Sequence, residues 1–286
     1  MKNILLIIIT YSLLAVSCTE RMDLDNDLGD GFPKLAVVEA LISTDTMEHV
    51  VKLSWSKRLD NAEAPPKITG ADVKISGNGS EVQLSEKEPG HYYTPADFAV
   101  EVGQGYYLTI EGIDLDEDGT PDLITAYDSV QNTAPLDSVV VEYIESWEAW
   151  PVKPYAQEPG NEENFYMFRC YKNGNMVSDT LSELVLTDDV LINGSYISGL
   201  DAYYLQAEYQ DEYVHIGDTV TLEICGLSKQ GYDFLIQAQI ESGYSTPLFS
   251  GPPSNVEHNM EGVNVFGAFI TFSSHKASTI WEGQKQ

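Results

Sequence analysis

Basic residues are what this chain has least of. Its 286 residues hold 15 Lys and Arg against 45 Asp and Glu, a formal net charge of −30. Nucleic-acid recognition, which needs a basic footprint for phosphates, is excluded. The same charge argues against electrostatic attraction to acidic substrates or to an anionic lipid surface. Cysteine is scarce too, and three residues do not make a disulfide-dense scaffold. No apolar run reaches the roughly 20 residues that a membrane-spanning helix needs. Glycine-rich phosphate loops, the Gly-x-Ser-x-Gly elbow of serine hydrolases and zinc-ligand spacings are all missing. What is present is the material of a core. The hydrophobic fraction is 43% and the aromatic fraction 10%, values of a folded chain rather than of a disordered acidic tail. The length admits one large all-β domain or two ordinary ones.

The chain opens Met1-Lys2-Asn3, then runs apolar from Ile4 to Val16 with Thr10, Tyr11 and Ser12 inside. One Lys ahead of about 13 such residues reads as a signal sequence over residues 1–17. Its end, Leu14-Ala15-Val16-Ser17-Cys18, resembles a bacterial lipobox, with Ala15 where Leu is commoner. The resemblance implies cleavage before Cys18, diacylglycerol on its sulfur and acylation, as by palmitate, of the new N-terminus. Several acyl chains on one residue anchor a protein stably. The alternative is an ordinary secretory signal followed by an unrelated Cys. Residues 18–33 carry Glu20, Asp23, Asp25, Asp27 and Asp30 and read as an acidic tether. Such acidity after a lipidated Cys resembles the surface-export signals of Bacteroidota lipoproteins, and Thr19, not being Asp, fits the outer membrane. The remaining charge is spread, with 23 acidic and 8 basic residues in 18–135 against 22 and 6 in 136–286. Spread charge is first of all a solvated, repulsive surface.

From Leu35 the pattern is that of strands. Leu35–Ile42, Val50–Ser56, Ala71–Ile75, Glu81–Leu84, Tyr92–Tyr93, Tyr106–Ile110 and Tyr127–Val130 are short runs, several alternating with period two. They predict an immunoglobulin-like β-sandwich over 34–135. After Pro135, strands are expected at Asp137–Tyr143, Phe165–Tyr171, Ala202–Tyr209, His215–Ile216, Thr219–Cys225 and Phe266–Phe272. Ser228–Ser242 has a helical face, so 136–281 is expected as a second β-rich domain with one helix. The fold class is all-β.

The order of these pieces resembles the DUF4249 lipoproteins of Bacteroidota. The resemblance is carried by Cys18, Leu35–Ala40, Val51–Ser54, Thr69–Ile75, Glu88–Tyr93 and Gly105–Ile110. It continues through Gly217–Leu222, Tyr232–Leu235, Asn255–Asn259, Glu261-Gly262 and Val265–Phe269, nearly the whole mature chain. It implies a lipid-anchored, outer-membrane, β-rich protein with an N-terminal immunoglobulin-like domain. Genes of the family often neighbour TonB-dependent outer-membrane transporters, which implies an accessory role in uptake, and no catalytic residues carry over. The chain departs from the family at Asn255–Asn259 and in an acidic insertion at Asp114–Asp122.

That insertion is the sharpest local motif. Asp114, Asp116 and Asp118 stand at positions 1, 3 and 5 of a Ca²⁺ loop, with Gly119 at 6, Thr120 at 7 and Asp122 at 9. Alternating carboxylates converge on one hard cation because the Gly lets the chain turn back. The acid of position 12 is missing (Thr125 stands there), and Asp128 or Glu111 are its candidate substitutes. Without a cation the motif is an acidic hairpin tip whose carboxylates repel one another.

Trp147, Trp150 and Tyr155 lie in a polar segment from Glu145 to Asn164 and are candidate binding residues, since flat rings stack on sugars or anchor in protein pockets. Trp147 and Trp150 fit a seam between the two domains equally well. Tyr203, Tyr204, Tyr209 and Tyr213 are a second patch or part of a β-core. Cys170 and Cys225 are a candidate disulfide in an exported protein, or two buried thiols. Glu39 and Glu223, both in strand runs, are a remote candidate for the paired carboxylates of a glycosidase. The sequence therefore points to a non-enzymatic outer-membrane lipoprotein, on the periplasmic or cell-surface face, assisting a TonB-dependent transporter by contact or by holding its ligand. The alternatives are a stand-alone glycan- or peptide-binding module and a metal-dependent hydrolase.

Overall fold

A computed structural model describes residues 34–57, 63–160, 162–243 and 256–284. The signal sequence, Cys18 and the tether lie outside these residues. In chain order the strands are β1 (Ala36–Ser43), β2 (Val50–Trp55), β3 (Asp72–Gly77), β4 (Ser80–Gln83), β5 (Ser85–Glu88), β6 (His91–Tyr93), β7 (Gly105–Ile113) and β8 (Asp122–Ser129). There follow β9 (Leu136–Val141), β10 (Ala149–Gln157), β11 (Phe165–Lys172), β12 (Asn175–Met176), β13 (Val185–Asp188), β14 (Tyr196–Ser198), β15 (Tyr203–Gln206) and β16 (Thr219–Leu227). A helix, α1 (Lys229–Ser242), precedes β17 (Met260–Glu261) and β18 (Val265–Ile280). The chain is all-β with this helix as the exception among the described residues.

Period-two burial decides which face each strand offers. In β1, Ala36, Val38, Ala40 and Ile42 are buried while Glu39 and Leu41 are exposed. These residues join Leu53, Tyr92, Val73, Leu108 and Ile124 in the core of an N-terminal β-sandwich. One wall is β1, β2, β6 and β5; the other is the five-stranded sheet β17-β8-β7-β3-β4. In the C-terminal half, Tyr166, Phe168 and Cys170 of β11 and Val220, Leu222 and Ile224 of β16 pack against Val139, Val141, Val152 and Leu205. Those partners belong to a four-stranded sheet in which β10 pairs with β9, β14 and β15. The intervening residues Phe165, Met167, Cys225 and Leu227 face the other way and pack with Leu235 of α1. Fully burying one side chain of this size contributes roughly 1.5–3 kcal/mol. The helix starts where Ser228, its N-cap, accepts the Gly231 N–H at 3.0 Å.

The long strand β18 joins the two cores. Its first half pairs in parallel with β1, Ala36 opposite Val265 through Ser43 opposite Phe272. Its second half pairs antiparallel with β16, from Phe272 opposite Leu227 to Ile280 opposite Thr219. The result is one nine-stranded sheet, β12-β11-β16-β18-β1-β2-β6-β5, with β13 also on β11. Gly267 permits the approach: its φ is +125°, and a Cβ there would lie 2.0 Å from Val38 O. Along this part of the chain the first core runs to Val130, and the second begins at Ala134, ahead of the expected division at 135/136. Yet Met260, Val265 and Phe269, from the far end of the chain, complete the first core, and residues 34–286 form one compact unit.

The main element absent from the sequence reading is β10, hidden by Pro151 and Pro154. Proline cannot donate to a ladder. Pro154 falls between the residues paired with β15 (Ala149–Val152) and those paired with β14 (Tyr155–Gln157), and Pro151 just precedes the stretch paired with β9. His215 and Ile216, expected as strand, form a turn.

Candidate functional sites: an acidic hairpin and an aromatic sheet face

The β7–β8 hairpin carries the acidic loop. Its last pair is Ile113 opposite Asp122, after a register shift. Leu115 is buried in the N-terminal core, and its carbonyl accepts from Asn264 Nδ2 at 3.2 Å, so the loop is pinned from below. Glu117 and Gly119 have φ of 61° and 93°, which turns the chain back on itself. Asp114 then accepts the Asp118 N–H at 3.1 Å and the Gly119 N–H at 2.9 Å, and Asp122 accepts the Leu115 N–H at 2.7 Å. Asp114, Asp116 and Asp122 each bring a carboxylate oxygen within 4.8 Å of the others.

Of the four expected carboxylates, Asp118 does not join them. Asp118 accepts the Thr120 N–H at 2.8 Å and its hydroxyl at 2.5 Å, and the Thr120 hydroxyl and N–H hold the Asp118 carboxyl below its ordinary range. An acceptor engaged by its own turn is drawn away from a shared cation. Neither candidate for the twelfth position serves. Asp128 is buried and accepts the Thr271 N–H at 2.6 Å, while Glu111 is 3.7 Å from Lys74.

The aromatic candidates separate by parity along β10. Trp150 points inward, 4% exposed, against Tyr143 at 4.7 Å and Tyr213 at 5.2 Å between ring centroids. It is a core residue of the C-terminal sandwich. Trp147 is 59% exposed, on a turn in which Glu148 has φ 49° and the Trp147 N–H bonds Ile144 O at 3.1 Å. Its ring meets Tyr204 of β15 edge-on at 5.9 Å. Tyr155 is half-buried with its hydroxyl over Gly199, where a Cβ would come within 2.8 Å of that oxygen.

Tyr196 of β14 stands on the same outward side, a residue that sequence reasoning missed. The signal was its alternation with buried Ile197. Polar partners fix these rings: Tyr204 donates to Asp201 at 2.8 Å and Tyr196 to Asp137 at 3.0 Å, each carboxylate raising the phenol's pKa. Lys153, also outward, donates to Glu142 at 2.5 Å.

Cys170 and Cys225 are two buried thiols, not a bridge. They stand on neighbouring strands but three rungs apart, Cys170 opposite Leu222 and Cys225 opposite Met167, and they face different cores. Burial pushes both thiols up to about 12. Glu39 and Glu223 form no cleft. Glu39 is exposed opposite Lys52. Glu223 is fully buried on a rung Arg169–Glu223–Lys276, where Arg169 Nε at 2.9 Å, the Tyr171 hydroxyl at 2.6 Å and the Ser274 hydroxyl at 2.5 Å hold its carboxylate.

No helix among the described residues is long and apolar enough to cross a membrane. The family model described as "Domain of unknown function (DUF4249)" matches residues 21–278. No curated protein matches the chain. Among solved structures, the chain has 8% identity and a TM-score of 0.18 to a two fibronectin type-III domain segment from chicken tenascin, over 68% of this chain and 90% of that one.

Proposed function

We propose, because the chain belongs to the DUF4249 family, that it is a lipid-anchored outer-membrane protein that works by binding rather than by catalysis. Its partner is a TonB-dependent transporter, which it assists by direct contact or by holding a ligand. The observation that carries this reading is the outward face of the β9–β10–β14–β15 sheet. Trp147, Tyr155, Tyr196 and Tyr204 stand there at the surface, on strands or tight turns rather than on long loops. Rigid amphipathic rings offer large contact area at low entropic cost, which is why aromatic residues dominate binding hot spots. The lipobox-like Leu14–Cys18 supplies the anchor.

The test is purification of the full-length chain from detergent-solubilised outer membrane, followed by mass spectrometry. A TonB-dependent barrel should co-purify, and Trp147→Ala combined with Tyr204→Ala should reduce its yield at unchanged protein level. If no transporter co-purifies, the accessory role is wrong. A second reading, a glycan-binding module acting alone, is favoured by the hydrogen-bonding groups beside the rings, Asp201, Lys153 and Glu142. It expects glycan binding by the purified chain that the same double substitution removes.

The acidic hairpin adds a structural Ca²⁺ site to this reading, held by Asp114, Asp116 and Asp122. Bound there, the ion would relieve the repulsion of these carboxylates and stiffen the tip. Calorimetric titration of Ca²⁺ should lose one binding event in Asp116→Asn, and an unchanged stoichiometry would rule the site out.

A further inference from the structure

We infer that the C-terminal sandwich contains a second, buried divalent-cation site of the calcium class, formed by Glu158, Asp189 and the side-chain carbonyl of Asn164. Glu158 and Asp189 are 1% and 2% exposed, on the connections that follow β10 and β13. Buried carboxylates are costly unless a positive charge answers them. Among the described residues, the donors that reach these two are neutral. The Tyr166 hydroxyl donates to Glu158 Oε1 at 2.9 Å, the Gly194 N–H to Glu158 Oε2, and Asn193 Nδ2 to Asp189 Oδ2 at 2.9 Å. No Lys or Arg occurs between Lys153 and Arg169 or between Lys172 and Lys229. The flanking cations are committed elsewhere: Lys153 to Glu142 at 2.5 Å, Arg169 to Glu223 at 2.9 Å, Lys172 to Tyr213 O at 2.8 Å and Lys229 to Asp233 at 2.6 Å.

An independent observation points to a ligand. Asn164 is 4% exposed, and its Oδ1 is a buried acceptor that no donor among the described residues reaches. Leaving such an atom unsatisfied costs roughly 1–3 kcal/mol. Register gives its direction. The Asp189 N–H donates to Asn164 O at 3.1 Å, which extends the β11–β13 ladder one rung beyond Phe165 opposite Asp188. Opposed residues of an antiparallel pair share a face. The Asn164 and Asp189 side chains therefore stand together, on the side of Tyr166, whose hydroxyl holds Glu158. Consecutive residues, Asn193 and Gly194, hold one carboxylate each and draw the two connections together. Gly160 and Gly194 make that approach possible: a Cβ on Gly160 would lie 3.2 Å from Gly194 Cα. Two carboxylates and an orphan amide oxygen are hard oxygen donors, the set that Ca²⁺ takes. Tyr166, Asn193 and Gly194 orient them from behind.

The test uses the detergent-solubilised full-length chain carrying Asp116→Asn, which takes the exposed hairpin out of the measurement. After EDTA treatment, Ca²⁺ alone is titrated and read by heat and by melting temperature. Ca²⁺ should raise the melting temperature, and Asp189→Asn should abolish that rise. Tyr166→Phe, which removes an orienting partner only, should weaken binding roughly tenfold to a hundredfold. Since a buried substitution can itself unfold the chain, Asn164→Asp keeps the proposal falsifiable. A cation site gains affinity from a third carboxylate, whereas a metal-free network with its Asn164 amide turned toward Asp189 loses stability equally with and without Ca²⁺. That equal loss, or an Asp116→Asn chain with neither heat nor shift, would overturn the site. Failure of the hairpin site leaves this outcome untouched, because the hairpin is already disabled.

Discussion

Both sandwiches are strongly acidic, but they place their charge differently. Among the described residues, the N-terminal half buries one carboxylate, Asp128, while the C-terminal half buries Glu158, Asp189, Glu212 and Glu223. The first ties several of its connections with neutral tyrosines. Tyr92 donates to Ile68 O at 3.0 Å and accepts from Ala71 N–H at 3.0 Å, and Tyr106 accepts the Glu101 N–H at 2.9 Å. The second does the same work with carboxylates: Glu158 holds Gly194, Asp189 holds Asn193, Glu212 accepts the Gln206 N–H at 2.7 Å, and Glu223 links β11 to β18. Net charge is thus a poor guide to where charge sits. A phenol clamp leaves no ion to compensate, whereas a carboxylate clamp leaves one that needs a counter-charge.

The largest expected effect is at Glu223. Glu223→Ala leaves Arg169 buried without its partner and should cost about 3–5 kcal/mol in urea unfolding. A loss below about 1 kcal/mol would mean that this clamp is not charge-dependent. Trp150→Ala should cost about the same, 3–5 kcal/mol, through the cavity it leaves. Trp147→Ala, three residues away, should change stability by no more than about 0.5 kcal/mol while reducing partner or glycan capture. Equal destabilisation by the two would dissolve the distinction between core and binding face. Tyr92→Phe in the first sandwich should cost about 1 kcal/mol, one neutral hydrogen bond. If it matches Glu223→Ala, the contrast between neutral and charged clamps fails.

Much of the fold was legible because side-chain period is a local property. β1, β2, β3, β7, β11, β16 and α1 all announce themselves by alternation or by a helical stripe. β10 did not, since Pro151 and Pro154 normally argue against a strand, and only the interruptions in its ladders accommodate them. Missing β10 also hid the parity that sends Trp150 inward and Tyr155 outward. The terminal strand expected at Phe266–Phe272 stops short of the second half of β18, where Ser274, Lys276 and Ser278 are polar. Its pairing with β1, Ala36 against Val265, joins opposite ends of the chain and no local pattern encodes it. At the acidic hairpin the spacing brought out Asp114, Asp116 and Asp122, whose carboxylates the fold gathers within 4.8 Å. Asp118 stands outside that group, and its bonds to Thr120 are a local competitor that spacing does not reveal. Nothing in spacing pointed to Asn164 and Asp189, which stand opposite each other only because β11 and β13 pair.

The smallest expected effect is in pH, where two aspartates of the N-terminal sandwich have opposite signs. Burial pushes the Asp128 carboxyl above its ordinary value of 3.8, against hydrogen bonds from Ser228 and Thr271. Hydrogen bonds from Thr120 hold the exposed Asp118 below the same 3.8. A raised folded pKa means that the folded state keeps its proton longer than the unfolded chain does. The Asp128 contribution is therefore full below pH 3.8 and lost as pH rises through the raised value. Asp118 contributes above 3.8 and loses that contribution as pH falls through its lowered value. Urea midpoints measured from acid to neutral pH separate the two. Asp128→Asn, which keeps an acceptor for the Thr271 N–H, should remove a decline on the rising side, and Asp118→Asn a decline on the falling side. If both substitutions flatten the same limb, the exposed hairpin and the buried carboxylate are not electrostatically distinct, and the contrast between surface and interior charge must be redrawn.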